Sequence, residues 1–400
     1  MTLRISTAGL HAQGLAALLK RQQDLAHTQQ QMTSGNKLTR AADDPSGAAQ
    51  AQTLDHLLST LDAYGRNANV LEQRLHLQEQ ALGDSGDVLT RARELAVQAN
   101  NATMSQSDRK AIAGEVLQLR AQLLSIANRD DGSGRALFAG QRDGVVPFGD
   151  SGGVVSYAGD DGQNQIDISP EMALADTDAG SAVFLRVRTG NGEILGSAAN
   201  ANTGTGVLQS TEVADHAAWP AAPLQLRFIA SDAYQVVDGG GSVLASGSYA
   251  PGDTITAAGV RLRLTGSPAA GDAFSLQPAP NQDIFTTLQS LADALTTNAA
   301  TPAERARQDN AIGQAIGSLG TGQDHLMSVR SATGSRLSAL DDTADARAAQ
   351  DESMRATLSG LRDTDYAQAA SQLSLELTAI QAAQATIKQV QTLSLFDLLR

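Results

Sequence analysis

Two carboxylates stand side by side in GNKLTRAADDPSGAAQ: Asp43 and Asp44, three residues after Arg40 and directly before Pro45. An acid pair of this kind can hold a metal or share general-acid and general-base duties if a histidine, a third acid or a phosphate-cradling loop completes the site. None lies near in sequence. The six histidines, His11, His27, His56, His76, His216 and His325, never fall at the HExxH spacing that sets two imidazoles and a base on one helix face. Neither a GxSxG nucleophile elbow nor a GxxxxGK[ST] phosphate loop is read in the chain. With no cysteine, thiolate nucleophiles, thiolate metal sites and disulfides are excluded. DGSG at Asp131–Gly134 and DGGG at Asp238–Gly241 do not continue with the alternating oxygen ligands of a calcium loop and read as tight turns. No catalytic, cofactor-binding or metal-ligating residue is assigned.

Local physics gives the acid pair another reading. Proline lacks an N–H and pushes the preceding residue out of the helical region, where an N-cap belongs. Asp44 is thus expected to cap a helix whose first residue is Pro45, an effect of about 0.5–2 kcal/mol. TPAE at Thr301–Glu304 combines a capping Thr301, Pro302 at the first helical position and a glutamate at the third. Asp363 and Asp365 read first as another helix start.

Apolar residues at three-and-four spacing outline the elements between these caps. Leu15, Leu18, Leu25 and Met32 form one stripe, with Gln22 and Gln29 at intervening seam positions, and Ser34-Gly35 ends it. A long lattice runs from Leu54 to Leu89, with a bend expected near Gly83 and Gly86; Ile112 to Ile126 makes a shorter one. Between Gln141 and Pro280 glycine clusters and the apolar runs become short and alternating: AVFLRVR (Ala182–Arg188), LQLRFI (Leu224–Ile229), YQVV (Tyr234–Val237) and VRLRL (Val260–Leu264). These predict half-exposed strands, with a hairpin at VVDGGGSVL. Helical texture returns at Ile284, where Gly313, Gly317, Gly320 and Gly334 predict weakening and breaks. A last amphipathic stripe carries Leu373, Leu377, Ile380, Ile387 and Val390, and closes on SLFDLLR with Leu395 and Phe396. The expected fold is mainly α with an inserted β domain, both chain ends forming a long antiparallel helical rod. Its divisions are 1–40 plus 362–400, 41–140 plus 281–361, and 141–280.

Composition narrows the partners. Only 3% of the 400 residues are aromatic, so apolar surface is expected to be buried in many thin helical contacts. The net charge is −14, and residues 141–280 alone carry 15 acidic against 6 basic side chains, which disfavours nucleic acid. Four lysines in the whole chain argue against a polybasic membrane patch, and no stretch approaches the roughly 20 apolar residues of a membrane span. The first residues, MTLRISTAGLHAQGLAALLK, do not read as a Sec signal peptide. Export, if it occurs, needs another route.

Five motifs in order carry a resemblance: RIST (Arg4–Thr7), QQQMTSGNKLTRAADDPSGAA (Gln29–Ala49), LFAG (Leu137–Gly140), RDTDYAQAASQL (Arg362–Leu373) and SLFDLLR (Ser394–Arg400). Together they resemble the bacterial flagellin superfamily, and within it the hook-associated proteins of the hook–filament junction, with TGSPAAGDAFSLQP (Thr265–Pro278) similar to a β-domain motif of those proteins. MTSG stands where the family often has LSSG, and the first helix lacks an aromatic that many relatives carry. Residues 145–219 match no motif.

An amphipathic stripe alone leaves two uses open, packing within its own chain or between chains. The resemblance implies the second. It implies a flagellin-like structural adaptor whose polymer contacts are Leu15, Leu18, Leu25, Met32, Leu373, Leu377, Ile380, Ile387, Val390, Leu395 and Phe396. The implied partners are copies of itself in a ring, the hook-side junction protein FlgK, flagellin, and the export chaperone FlgN. The implied location is extracellular, reached by the flagellar type III route, with no nucleic acid, membrane, cofactor or enzymatic activity.

Overall fold

The computed structural model of the chain describes residues 7–396, with side-chain surroundings for Gly9 and for Ala12–Gln389. Its packing divides into two units, Met1–Arg66 with Thr343–Arg400 and Asn67–Asp342. Among the described residues the α-helices are α1 (Thr7–Ser34), α2 (Pro45–Ala99), α3 (Gln106–Ala127), α4 (Ile284–Thr296), α5 (Pro302–Arg362) and α6 (Tyr366–Phe396).

Short-range hydrogen bonds explain where these helices begin. Asp44 Oδ1 accepts from the N–H groups of Ser46 at 3.1 Å and Gly47 at 3.0 Å, so Asp44 caps α2 and Pro45 opens it. Thr301 Oγ1 accepts from Glu304 N at 3.2 Å while Glu304 Oε2 accepts from Thr301 N at 2.7 Å, a reciprocal cap with Pro302 as first residue of α5. Ser105 and Asp108 make the same box at α3, and Asp365 accepts from Ala367 N and Gln368 N at the head of α6. Helix α5 runs unbroken for 61 residues. The breaks expected at its glycines are absent because burial of the stripe Ile312, Ala315, Leu319 and Leu326 outweighs the cost of about 1 kcal/mol per helical glycine.

The central unit holds all the strands found among the described residues. In chain order they are β1 (Phe148–Ser151), β2 (Val154–Tyr157), β3 (Gln165–Ser169), β4 (Met172–Ala175), β5 (Val187–Arg188), β6 (Ile194–Ala198) and β7 (Val207–Val213). There follow β8 (Leu224–Ala230), β9 (Ala233–Asp238), β10 (Val243–Ser248), β11 (Thr254–Ala257), β12 (Val260–Thr265), β13 (Ala273–Pro278) and β14 (Asn281–Gln282). A five-stranded antiparallel sheet has the order β10-β9-β8-β13-β6, and a three-stranded one the order β11-β12-β7. Their inward residues form one cluster: Leu224, Leu226 and Phe228 of β8 and Phe274 and Leu276 of β13 pack with Leu262 and Leu264 of β12. In β8 and β12 buried and exposed residues alternate, which puts Arg227, Arg261 and Arg263 in solvent.

AVFLRVR, expected as a strand, is strand only at its end. Ser181–Leu185 forms one turn of π-helix, closed by Arg186 N on the Ser181 carbonyl at 3.1 Å, and only Val187–Arg188 is strand. The reason is tertiary. Phe184 is fully buried with its ring centroid 5.1 Å from Phe138 and 5.7 Å from Phe148, and wide turns let Val183 and Phe184 point together into that cluster. The same cluster joins α2, α3, α4 and α5 through Leu82, Leu89, Val116, Leu123, Leu288 and Leu319. A third, smaller cluster seats Ile168 of β3 on Leu71 and Leu75 of α2 and Leu340 of α5.

Candidate assembly surface

Within the terminal unit α1 and α6 pair antiparallel. A Cβ on Gly14 would lie 3.7 Å from Ile387 Cγ1, while fourteen residues later in α1 the hydroxyl of Thr28 donates to Glu376 Oε1 at 3.3 Å. The turn beyond α1 fastens onto the α5–α6 junction. Gly35 adopts φ +73°, which lets its carbonyl accept from Thr364 N at 2.9 Å and lets Lys37 N reach the Arg362 carbonyl at 2.6 Å. Asn36 and Asp363 form an isolated antiparallel bridge at that point.

The apolar residues of this pair are only partly covered. Of the residues expected from the stripe, Leu15 is 56% exposed and Leu377 44%; Leu18, Leu25, Met32, Leu373 and Ile387 are half-buried; Ile380 is buried. Leu19 and Leu375, which the stripe reading passed over, are 51% and 71% exposed. The side chains of Val390, Leu395 and Phe396 lie outside the described residues, as do Arg4–Ser6 and Asp397–Arg400 of the terminal motifs. Exposed leucines on two paired helices offer apolar area to whatever packs on them, at about 25 cal/mol per Å² removed from water. Inside the pair, Glu376 is buried, accepts from Thr28 and from Gln372 Nε2, and leaves its Oε2 without a partner.

The loop between α1 and α2 uses the acid pair structurally. Asp43 Oδ2 accepts from Thr39 Oγ1 at 2.9 Å, from Arg40 N at 2.8 Å and from Thr39 N at 3.2 Å, with His27 Nε2 at 3.2 Å. These donors, the Thr39 hydroxyl foremost, hold its carboxyl down at about 2. The Gly47 N–H and the Ser46 hydroxyl lower Asp44 in the same way. Both carboxylates are thus committed to ordering a turn and a helix start. Among the described residues no group of three or more His, Asp or Glu is arranged to hold a metal ion. GxSxG spacing does occur, as GDSGG at Gly149–Gly153, but it makes the turn between β1 and β2 rather than a strand-to-helix elbow.

A buried polar knot in the central unit is the feature that sequence reasoning misses. Arg74 of α2, 2% exposed, sends Nε to Asp176 Oδ1 at 2.9 Å and Nη1 to Asp131 Oδ2 at 2.6 Å. One turn on, Gln78 donates to Asp178 at 2.6 Å and to Thr333 of α5 at 2.7 Å, and Arg336 of α5 pairs with Asp178. Burial alone pushes the Asp131 carboxyl up, but the Ser133 hydroxyl and N–H and the Arg74 guanidinium outweigh it and hold it at about 2. The knot ties the segment after β4 to both long helices of that unit.

The helical parts match known proteins. Residues 5–143 match the bacterial flagellin N-terminal helical region and residues 314–399 the bacterial flagellin C-terminal helical region. The solved structure of FlgL from Xanthomonas campestris is 37% identical, with a TM-score of 0.72, over 76% of this chain and 99% of that one. The chain belongs to the FlgL branch of the bacterial flagellin family. Another FlgL, the flagellar junction protein of Legionella pneumophila, superimposes with a TM-score of 0.72 at 26% identity, over 78% of this chain and all of that one. Flagellar hook-associated protein 3 of Escherichia coli K12 is 30% identical over 182 residues, and this chain spans 57% of that relative's length. Both terminal helices and the acid pair of this FlgL-type chain fall inside the matched regions.

Proposed function

We propose that this chain is a structural adaptor subunit of the bacterial flagellum, joining the hook-side junction protein to the flagellin filament. One observation carries the reading: a chain similar to FlgL over 99% of that protein keeps, on its terminal helix pair, leucines up to 71% exposed. In this reading residues 1–40 and 362–400 are the polymerising part, and neighbouring copies in a ring cover Leu15, Leu19, Leu375 and Leu377. Residues 41–140 with 281–361 form the rod, and 141–280 the inserted β domain. FlgK packs on one side of the ring and flagellin on the other. The subunit reaches the hook–filament junction, outside the cell, through the flagellar export channel, escorted by a FlgN-type chaperone, and performs no catalytic step.

Deletion of the gene tests this. Cells should keep hooks, lack attached filaments and shed flagellin into the medium; intact filaments on the deletion strain reject the adaptor role. The family match in the helical regions is shared with flagellins, so a second measurement separates the two roles. Purified chain added to filament seeds should cap them, whereas bulk elongation would make it a filament subunit.

A further inference from the structure

With seven residues, β7 is the longest strand at the edge of any sheet among the described residues. An edge of that length presents a row of N–H and C=O groups on which another chain can add a strand. Two asparagines occupy the row. Asn310, on α5, accepts from Leu208 N–H through Oδ1 at 2.8 Å and donates Nδ2 to the Gly206 carbonyl at 2.9 Å. Asn191, in the turn before β6, donates Nδ2 to the Thr211 carbonyl at 3.0 Å. A carboxamide carries the same donor and acceptor as a peptide bond, so Asn310 offers β7 the pair that an added strand would offer.

Asn310 is fixed by a further bond from Nδ2 to the Ala306 carbonyl at 2.7 Å, so the plug stands on a rigid helix. The ladder with β12 is itself interrupted, since its register jumps from Leu264↔Leu208 to Arg263↔Ser210. Beside the edge, between β6, β7 and α5, lies a cleft of about 380 Å³, lined by Gly196, Ser197, Leu208, Gly313 and Gln314.

We propose that Asn310 and Asn191 close the β7 edge against strand addition by a second copy of this chain. For a subunit crowded among its own copies, as proposed above, the closure leaves association to other surfaces; the closure itself does not depend on that role. The test uses the full-length chain, its Asn310→Ala/Asn191→Ala double variant and a labelled peptide copying Val207–Val213. The double variant should bind the peptide about tenfold or more tightly than the wild type and self-associate with rising concentration. A folded double variant that stays monomeric and binds no better than wild type overturns the proposal, as does tight binding by the wild type. Asn310→Asp keeps the acceptor for Leu208 and loses the donor to Gly206, so it carries the test if the double variant does not fold. It too should bind the peptide more tightly than wild type, and equal binding overturns the proposal.

Discussion

The central unit contains every residue of the three apolar clusters found among the described residues; the terminal unit contributes to none of them. Charge divides the same way. Residues 1–66 and 343–400 carry 11 basic and 12 acidic side chains, whereas 67–342 carry 18 and 31, so nearly all of the net −14 resides centrally. Both regions are poor in aromatics and built on helices with similar apolar spacing. What separates them is closure: one stripe finds its partners within the chain, and the other stops at a single neighbouring helix. A near-neutral surface with exposed leucines suits association with like copies, and an acidic one resists it.

The largest effects should come from the closed region. Arg74→Ala leaves Asp176, 2% exposed, without its cation and should cost about 3–5 kcal/mol, read as a fall in the denaturant midpoint of the central unit. Hydrogen exchange in α1 and α6 should stay unchanged, and a matching loss there would dissolve the contrast between the units.

Acid should act next. Asp131 sits at about 2 when folded, below its ordinary 3.8, so its stabilisation is complete above the ordinary carboxylate range and disappears as pH falls through about 2. That shift corresponds to about 2 kcal/mol, and Asp131→Asn should flatten the stability curve of the central unit between roughly pH 4 and 2.

Smaller effects belong to the open region. Asp44→Ala should cost about 1 kcal/mol by removing the α2 cap, measurable by thermal unfolding, and Asp44→Asn should restore most of it. Leu375→Ala should change the stability of the solitary chain by under about 0.5 kcal/mol, because the side chain is 71% exposed. The same substitution should weaken assembly into flagella, scored by motility. A large stability loss from Leu375→Ala in the monomer would erase the distinction.

The sequence announces what neighbours along the chain can settle. Asp44-Pro45 and Thr301-Pro302 with Glu304 are legible as caps because every partner lies within three or four residues. Strands β8 and β12 are legible because alternation follows directly from burying one face. AVFLRVR has the same alternation but folds as a π-turn, since the decision rests with Phe138, Phe148 and Phe285, which are distant in sequence. Arg74 is illegible for the same reason: its acceptors, Asp131 and Asp176, stand 57 and 102 residues away. In the terminal stripe the period is visible, but which leucines face α1 or α6 and which face outward depends on the angle of pairing. Leu19 and Leu375 emerge only from that geometry.

Hydrogen exchange on dilute monomer is the most direct test of this contrast. Amides of α1 and α6 should exchange through low-energy local opening, orders of magnitude faster than those of Leu82–Leu95 in α2 and Leu319–Leu326 in α5, and should gain protection on assembly. Equal, firm protection of both regions in the solitary chain would contradict the account.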